Sequence, residues 1–560
     1  MLPGNWLAVS KVLSFREKLV VSFFVLIIMA SSVFWLKHVY FGFTVPIPKL
    51  GGEYAEGMVG QPIYVNPLLS QTSDSDADLV ALVYSGLFGY DKEGKIRNDL
   101  AERYEVSEDK KVYTVYIRKD AKWHDGQNLD IEDVVFTFNI LKDPTYKSPL
   151  RQNWQGVTVS QVDESSIKFE LKNPYFGFLE NLTVGILPKH IWQDIPAERF
   201  ALAEKNLRPI GSGPYMFADF QKDSNGNIIT YKLSAFKGYH GGAPYISRIN
   251  FNFYPDDSAL ISAFKKKEVA GISDVSPEKL GDVSSSKNIQ VKELVIPRYF
   301  ALFINQTKSV ALAYDEVRKA LAISVNRQEI VDTVLGGKGI PLYSPLFPQM
   351  NGHTDMSGDY AYNPEEARRI LDGAGWSLNN ESGVREKDGN RFEFEIVTTD
   401  WPELMENAEL LKRQWGEIGA KVDIKVLSVS DFQQNYIRTR EYPSLLFGQA
   451  LSFNPDLYSF WHSSNKRDPG LNLALFDNKD ADTLLESIRQ ETDDNKRAES
   501  YRQFSDIIKE KNPAIFLYSQ YYLYPISKAV KGNEVVNINA PSWRFADISK
   551  WYIKTSRVWK

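Results

Sequence analysis

The chain has 560 residues, of which 43% are apolar and 24% charged, and 66 Lys and Arg face 71 Asp and Glu for a net charge of -5. This length exceeds that of one compact core, so we expect two or three domains, and the mildly acidic balance argues against general nucleic-acid binding. Cys is absent, which excludes disulfides, thiolate metal sites, a cysteine nucleophile and a lipid anchor on an N-terminal Cys.

An uncharged apolar segment near the N-terminus, from Leu19 to Leu36, is the clearest single signal in the chain. As a helix it would reach about 27 Å, which is close to the hydrocarbon thickness of a bilayer. A cleaved signal peptide would have a shorter apolar stretch and then a small-x-small site, whereas here bulky Val33, Phe34 and Trp35 follow the small residues. We therefore interpret 19–36 as an uncleaved transmembrane anchor, with a cleaved signal peptide as the alternative.

The charges around this segment predict its orientation. Lys11, Arg16 and Lys18 precede it, so the positive-inside rule places residues 1–18 in the cytoplasm and the body outside the cell membrane, in a periplasm or on the open exterior. Residues 37–50, which include Pro46 and Pro48, are predicted to form a short, stiff tether.

From Gly51 onward, strand-like and helix-like patterns follow one another without a short repeat. Apolar residues alternate at period two, as in half-buried strands, in five stretches: Val112 to Ile117, Ile167 to Leu171, Phe251 to Phe253, Phe392 to Ile396 and Val422 to Val426. A polar turn at 223–227 separates two further stretches, and caps at Asp130 and Asn363 predict helix starts. Spaced apolar residues from Ala498 to Ile508 predict another helix. The pattern indicates a multidomain α/β protein.

Two short motifs that could suggest chemistry are predicted to be turns. In Trp123-His124-Asp125-Gly126 a His stands beside an Asp, but the six histidines form no HxxxH or HxH pair, so a metal site has no support. Gly211-Ser-Gly-Pro-Tyr215 lacks the Lys-Ser/Thr ending of a phosphate-binding loop. No Gly-x-Ser-x-Gly elbow is present. The sequence thus predicts no catalytic residue, metal or cofactor, although a carboxylate pair across a cleft stays an open alternative.

An ordered series of motifs resembles the family 5 extracellular solute-binding proteins, the oligopeptide-, dipeptide- and nickel-binding group. The resemblance spans about residues 50 to 555, and Lys122 to Gly126 is its most specific part. The series comprises Pro62 to Pro67, Val83 to Leu87, Asp99 to Tyr104, Tyr113 to Arg118, Lys122 to Gly126, Asp133 to Phe138, Gly211 to Tyr215, Val317 to Ala322, Tyr362 to Arg368 and Asn454 to Asp456.

The resemblance implies an α/β, three-lobed, hinged fold of the type II periplasmic-binding-protein kind, preceded by one transmembrane helix. The first lobe would comprise 51–88, 207–310 and 515–560, the second 89–206 and the third 311–514. A ligand would be enclosed between the first and third lobes when the hinge closes.

The resemblance further implies a membrane-anchored subunit of an ABC importer that captures peptides, delivers them to permease subunits and acts as a monomer without catalysis. In peptide-binding relatives an Asp pairs with the free amine of the peptide, and Leu451 stands in its place here. Tyr84-Ser85-Gly86 also lacks the acid of a Tyr-Glu-Gly stretch. Either another acid meets the amine or the ligand is different.

Six residues are predicted to line the ligand cleft, from their position relative to the family pattern. Tyr299 and Trp401 stand beside Pro297 and Pro402 at the ends of strand-like stretches, where a cleft wall is expected. Each large aromatic could equally be a core residue. The six are Tyr84, Tyr299, Trp401, Phe447, Gln449 and Phe453.

Three classes of function are compared. A binding receptor predicts reversible binding, a rise in melting temperature with the right ligand and no turnover. An extracytoplasmic enzyme, such as a hydrolase, would release a product. A sensor or assembly protein would contact a protein partner instead of feeding a transporter, and a receptor of the same fold could hold a metal chelate or a sugar. The receptor for peptides is the preferred interpretation.

Overall fold

The computed structural model describes residues 14–284 and 286–560, so most of the predicted cytoplasmic segment 1–18 lies outside the described residues. The strands in chain order are β1 Thr44–Lys49, β2 Glu53–Val59, β3 Phe88–Tyr90, β4 Ile96–Asn98, β5 Ala101–Val106, β6 Val112–Ile117, β7 Val157–Gln161, β8 Ser166–Leu171, β9 Tyr215–Lys222, β10 Ile228–Ala235, β11 Arg248–Tyr254, β12 Gly271–Ile272, β13 Ile289–Leu294, β14 Arg298–Ile304, β15 Gly339–Pro341, β16 Ser377–Leu378, β17 Arg385–Lys387, β18 Asn390–Arg391, β19 Glu393–Thr399, β20 Lys421–Leu427, β21 Ser444–Ala450, β22 Ala514–Gln520, β23 Tyr522–Ser527 and β24 Lys554–Trp559.

The α-helices in chain order are α1 Phe15–Phe43, α2 Asp74–Val83, α3 Ile131–Lys142, α4 Phe178–Asn181, α5 Lys189–Trp192, α6 Ala197–Phe200, α7 Asp257–Lys265, α8 Leu280–Ser284, α9 Asp315–Ile323, α10 Arg327–Val334, α11 Pro364–Gly373, α12 Pro402–Gly416, α13 Val429–Phe432, α14 Tyr458–Trp461, α15 Lys479–Gln490 and α16 Asp494–Lys511. The predicted strands and helix starts all fall within or beside these elements.

In the described part of the chain, a seven-stranded sheet in the order β13-β23-β12-β2-β11-β10-β9 forms the first lobe. Strand β2 is parallel to β11 and β12, and β9, β10 and β11 are antiparallel neighbours. The predicted polar turn is confirmed: Asp223 accepts backbone hydrogen bonds from Asn225 and Asn227, at 2.8 and 2.9 Å, and closes the β9–β10 hairpin. Because β23 belongs to this sheet, the C-terminal part of the chain completes the first lobe.

A four-stranded antiparallel sheet, β5-β6-β8-β7 among the described residues, forms the second lobe with helix α3. The predicted helix start is confirmed, since Asp130 accepts from the backbone N–H groups of Glu132 (2.8 Å) and Asp133 (3.3 Å). Asp133 in turn accepts from the Trp123 indole at 3.0 Å. The apolar alternation of β6 and β8 buries Val115 and Phe169 beneath this helix.

The two motifs predicted to be turns contact each other. The backbone N–H of Gly211 donates to His124 Nδ1 at 3.1 Å, and His124 Nε2 lies 3.0 Å from the carbonyl oxygen of Gly213. Burial lowers the pKa of His124 to about 4, so the ring is neutral and donates its Nε2 proton to Gly213. A structural role for His124 is therefore confirmed, and it joins the second lobe to the returning first-lobe chain.

The first and second lobes share one continuous apolar core. It contains Tyr54 and Tyr231 of the first lobe together with Val115, Phe138 and Phe169 of the second. Because a close-packed core resists relative motion of its parts, these two lobes behave as one body.

The third lobe is built on a six-stranded sheet within the described ranges, in the order β15-β22-β14-β21-β19-β20. Separate apolar clusters cover its two faces: Leu302 and Leu446 lie in one, and Phe303 and Leu445 lie in the other. Helix α11 begins as predicted, with Asn363 accepting from the backbone N–H of Glu366 at 2.9 Å. The third lobe thus has its own core.

Two adjacent segments connect the third lobe to the first. Residues 295–297 lead from β13 to β14, and Tyr521 leads from β22 to β23. Strands β13 and β23 pair with each other in one sheet, and β14 and β22 pair in the other, so the two crossings run side by side. Two short neighbouring crossings between separately packed lobes are the geometry of a hinge.

Helix α1 extends from Phe15 to Phe43 and is long and apolar enough to cross a membrane. Its side chains are exposed almost throughout. The predicted tether needs correction, because the helix continues through residues 37–43 and Thr44–Lys49 forms strand β1. This strand pairs antiparallel with the C-terminal strand β24 over six residue pairs. Strand β1 contains two prolines, which lack a backbone N–H. They are tolerated because β1 is an edge strand of a two-stranded ribbon.

The observed sheets bear on the predicted lobe boundaries. Strand β14, which the sequence-based division assigned to the first lobe, lies in the six-stranded sheet. Strand β22, which that division cut at residue 514, lies there as well. The hinge crossings at 295–297 and 521 therefore mark the third lobe as 298–520, because pairing between strands, not sequence spacing, decides lobe membership.

Candidate interlobe binding site

The second and third lobes face each other across residues 173–181 and 450–460. The backbone N–H of Phe176 donates to the carbonyl oxygen of Arg489 at 3.3 Å. The Arg489 guanidinium lies over the rings of Tyr175 and Tyr458, at 5.4 and 4.7 Å from their centroids. These contacts join the second and third lobes at one side of an open space between them.

Three cavities adjoin Glu180; the first lies between the first and second lobes, and the other two lie between the second and third lobes. The first, of about 480 Å³, includes Tyr84 and Trp543 in its lining. The second, of about 890 Å³, includes Leu451 and Asp456, and the third, of about 800 Å³, includes Phe453. Glu180 lines all three. Their volumes are those of pockets that enclose small organic solutes.

Glu180 on the short helix α4 is the electrostatic centre of the site. The pKa of Glu180 is raised to about 7, mainly by burial and to a smaller extent by the nearby Asp456 carboxylate, while the Ser452 and Asn454 side chains partly offset this rise. The helix α4 is held by apolar packing, since Phe178 is buried in the core shared by the first two lobes. Packing thus presents the Glu180 carboxyl group to all three cavities.

Asp456 and Arg489 form a compensated pair opposite Glu180. Arg489 Nε lies 3.1 Å from Asp456 Oδ2, and the backbone N–H of Tyr458 also donates to Asp456 at 3.3 Å. Burial nevertheless raises the pKa of Asp456, because desolvation outweighs the Arg489 contact. The charge of Asp456 is therefore already matched within the protein.

A second acid, Asp274, lies beside the hinge crossing at Tyr521. It follows β12, and its carboxylate accepts from the backbone N–H of Leu523 at 3.2 Å. Desolvation by neighbouring protein atoms raises the pKa of Asp274 to about 7, although Leu523 and the nearby Arg298 lower it. Part of the Asp274 surface is nevertheless exposed.

No cluster of three or more His, Asp or Glu side chains is placed to hold a metal ion in residues 14–284 and 286–560. The linings of the three cavities contain aromatic faces, hydrogen-bonding groups and carboxylates. Such a set suits non-covalent binding of a polar solute.

Comparison with known proteins identifies the family. The sequence model of the bacterial extracellular solute-binding proteins, family 5, matches residues 95–470. The chain belongs to this family. The match covers more than half of the chain and includes the second lobe and most of the third.

Relatives match this family 5 binding protein over most of its length. The oligopeptide-binding protein AppA of Bacillus subtilis is 29% identical, over 84% of this chain and 87% of its own. The solved structure of B. subtilis AppA in complex with a nonapeptide has a TM-score of 0.70 at 26% identity, covering 91% of this chain and 100% of that one. NikZ from Campylobacter jejuni in complex with Ni(L-His) has a TM-score of 0.72 at 25% identity, covering 89% and 99%. The predicted family and the binding-protein fold are confirmed.

Two of the six predicted site residues of this family 5 protein line the interlobe cavities. Tyr84 is 5% exposed in the first cavity, and its hydroxyl has no hydrogen-bond partner among the described residues. Phe453 lines the third cavity, where its backbone N–H donates to Asn539 at 2.9 Å. Each of these two cavities is also lined by Glu180.

The other four lie on the third-lobe sheet and its edge, outside the linings of these three cavities. Tyr299 and Gln449 stand opposite each other in β14 and β21, and the Tyr299 hydroxyl donates to the Gln449 side-chain oxygen. Trp401 is 43% exposed and contacts Phe447, with ring centroids 6.0 Å apart. Their part in ligand binding stays a prediction.

Sequence analysis missed Glu180, Tyr175 and Arg489. Glu180 lies on a helix of four residues, which is too short to produce a periodic signal. Leu451, singled out as a departure from the family pattern, does line the second cavity with Glu180. The sequence alone does not show that an acid of the second lobe faces Leu451, because that proximity depends on the folded structure.

Proposed function

We propose that this protein is the substrate-binding subunit of an ABC importer, that it captures peptides between its lobes, and that it passes them to membrane permease subunits. The observation that supports this most directly is the third lobe, which packs separately and joins the first through two adjacent crossings. One crossing contacts the second cavity, because the backbone N–H of Leu451 in its lining donates to the carbonyl oxygen of Pro297 at 2.7 Å. Closure at such a hinge buries a solute from water, and a partner can distinguish the closed shape from the open one.

Peptide is the favoured solute class because the relative AppA is described as oligopeptide-binding and was solved with a nonapeptide. The test is native mass spectrometry of the full-length protein in lipid nanodiscs, followed by calorimetric titration with trialanine and longer alanine peptides. We expect retained peptides and saturable binding without product formation. Recovery of a nickel–histidine chelate or a sugar, with no peptide binding, would reassign the solute class.

The proposal includes anchoring by an uncleaved helix α1 with the body outside the cell. The C-terminal strand supports this, because Arg557 donates to the carbonyl oxygen of Phe41 at 3.1 Å and to that of Thr44 at 2.7 Å, so the body holds the end of the helix. Protease treatment of intact cells should release the body and leave a membrane fragment containing residues 19–36. Protection of the body would contradict this orientation.

A role as a sensor or assembly protein predicts a different result. Binding of peptide would then not increase when permease and ATPase are present, and transport of labelled peptide would not depend on this protein. Loss of peptide uptake after its deletion, restored by the wild-type chain, would support the importer.

A further inference from the structure

We propose that the Glu180 carboxylate binds an ammonium group of the solute at the junction of the three interlobe cavities. This inference rests on the proposed function, because it requires the solute to occupy these cavities. The inference is that the solute carries a positive charge and that Glu180 determines specificity for it.

The position of Glu180 is the first support. It lines all three cavities, and so any solute that extends from one to another passes this carboxylate. Within residues 14–284 and 286–560, no Lys, Arg or His side chain forms an ion pair with it. A half-buried carboxylate without a cation is costly, and a cationic ligand removes that cost.

The charges around Glu180 are the second support. Asp456, which faces it from the third lobe, is compensated by Arg489 at 3.1 Å. The hydroxyls of Tyr90, Tyr175 and Tyr501, which also lie near Glu180, are neutral at ordinary pH. Lys95, Lys110 and Arg497 line the third cavity with Glu180, and Arg497 pairs with Asp494. Among the described residues none of these cations forms an ion pair with Glu180, so its charge is left unmatched within the protein.

Closure of the hinge would strengthen this contact. Glu180 belongs to the second lobe, whereas Ser452 and Asn454 beside it belong to the third. Movement of the third lobe toward the second would exclude water from the carboxylate, and an ion pair gains strength as water leaves. Leu451, on the same third-lobe loop, adds an apolar wall to the second cavity.

The test uses the full-length protein in nanodiscs and measures the affinity for trialanine and for N-acetyl-trialanine by calorimetry. Wild-type protein should bind trialanine more tightly, by about thirtyfold or more, because a buried charge left without its partner costs at least about 2 kcal/mol. Glu180→Gln should lose this preference. The matched control is Glu164→Gln, which makes the same change of charge on an exposed turn of the second lobe.

A pH profile keeps the inference testable if Glu180→Gln does not fold. Trialanine affinity of the wild type should fall as the pH is lowered from 8 to 5.5, because the carboxylate that receives the ammonium becomes protonated, while N-acetyl-trialanine affinity should stay constant. An N-acetylated tripeptide with a central lysine distinguishes the source of the ammonium: tight, Glu180-dependent binding assigns a side-chain amine, and weak binding assigns the terminal amine.

Three results would overturn the inference. One is equal affinity of the wild type for the free and acetylated peptides. Another is an unchanged preference in a folded Glu180→Gln variant. The third is loss of the preference in Asp274→Asn but not in Glu180→Gln, which would assign the acid at the hinge. If the wild type binds no peptide at all, the proposed function fails, and this inference fails with it.

Discussion

Arg544 of the C-terminal segment donates a hydrogen bond at 2.9 Å to Glu56, which lies in strand β2 of the seven-stranded sheet. The same guanidinium donates to Asp78 at 2.8 Å from its other nitrogen. All three side chains are fully buried or nearly so. A chain segment more than four hundred residues away thus supplies the cation that two first-lobe carboxylates require.

Replacement of Arg544 should destabilise the first lobe. In Arg544→Met, Glu56 and Asp78 would be left buried without a cation, and breaking such a pair costs about 3 to 5 kcal/mol. The measurement is urea unfolding followed by tryptophan fluorescence. The control is Arg248→Met, which removes an exposed pair with Glu53 and should cost about 1 kcal/mol or less. Equal midpoints for the two variants would contradict the structural role of Arg544.

The stability of the protein should depend on pH through His124. Because burial lowers the pKa of His124 to about 4, the unfolded chain binds a proton at a higher pH than the folded chain does. The stabilising contribution is complete above pH 6.5 and is lost as the pH falls from 6.5 toward 4, by up to about 3 kcal/mol. Unfolding of wild type and His124→Gln across this range should show a flatter profile for the variant. Parallel profiles would show that His124 does not titrate as stated.

Local signals in the sequence predicted many of the helix starts and turns. Contacts between residues far apart in the sequence were not predicted. The caps Asp130 and Asn363 and the turn at 223–227 were found because a few adjacent residues determine them. The pairing of residues 44–49 with the C-terminal strand was missed, because nothing near Pro46 and Pro48 identifies a partner five hundred residues away. Glu180 was missed for a related reason, since its importance arises from three cavities that form only when the lobes meet.

We expect Tyr299 to stabilise the third lobe and not to contact the ligand. In Tyr299→Phe the Gln449 side-chain oxygen loses its donor in a buried setting, which should cost about 1 to 3 kcal/mol of stability. Thermal unfolding and peptide titration together test this, with Tyr104→Phe on an exposed tyrosine as the control. A fall in affinity with unchanged stability would instead place Tyr299 in contact with the ligand.

Trp401 should show the opposite pattern. It is 43% exposed beside Phe447, and its side chain makes no capping bond to α12, so Trp401→Ala should leave the melting temperature nearly unchanged. If it lines the closed cleft, as predicted from the sequence, peptide affinity should fall about fivefold or more. Trp559→Ala, at an exposed tryptophan of β24, is the matched control. Unchanged affinity in Trp401→Ala would exclude this residue from the site.

The ribbon of β1 and β24 makes a prediction about both the pairing and the fate of helix α1. Val45 lies opposite Val558, and the Cα separation of such a pair fits a disulfide. The natural chain has no Cys, so Val45→Cys with Val558→Cys contains only these two thiols. We expect rapid oxidation in membranes, and slower oxidation of the control Val45→Cys with Ser556→Cys, which is two residues out of register. Equal rates would contradict the pairing. The intact mass of the undigested, linked protein then reports its N-terminal end: an end upstream of residue 19 shows that the helix is retained, and an end after residue 32 shows cleavage.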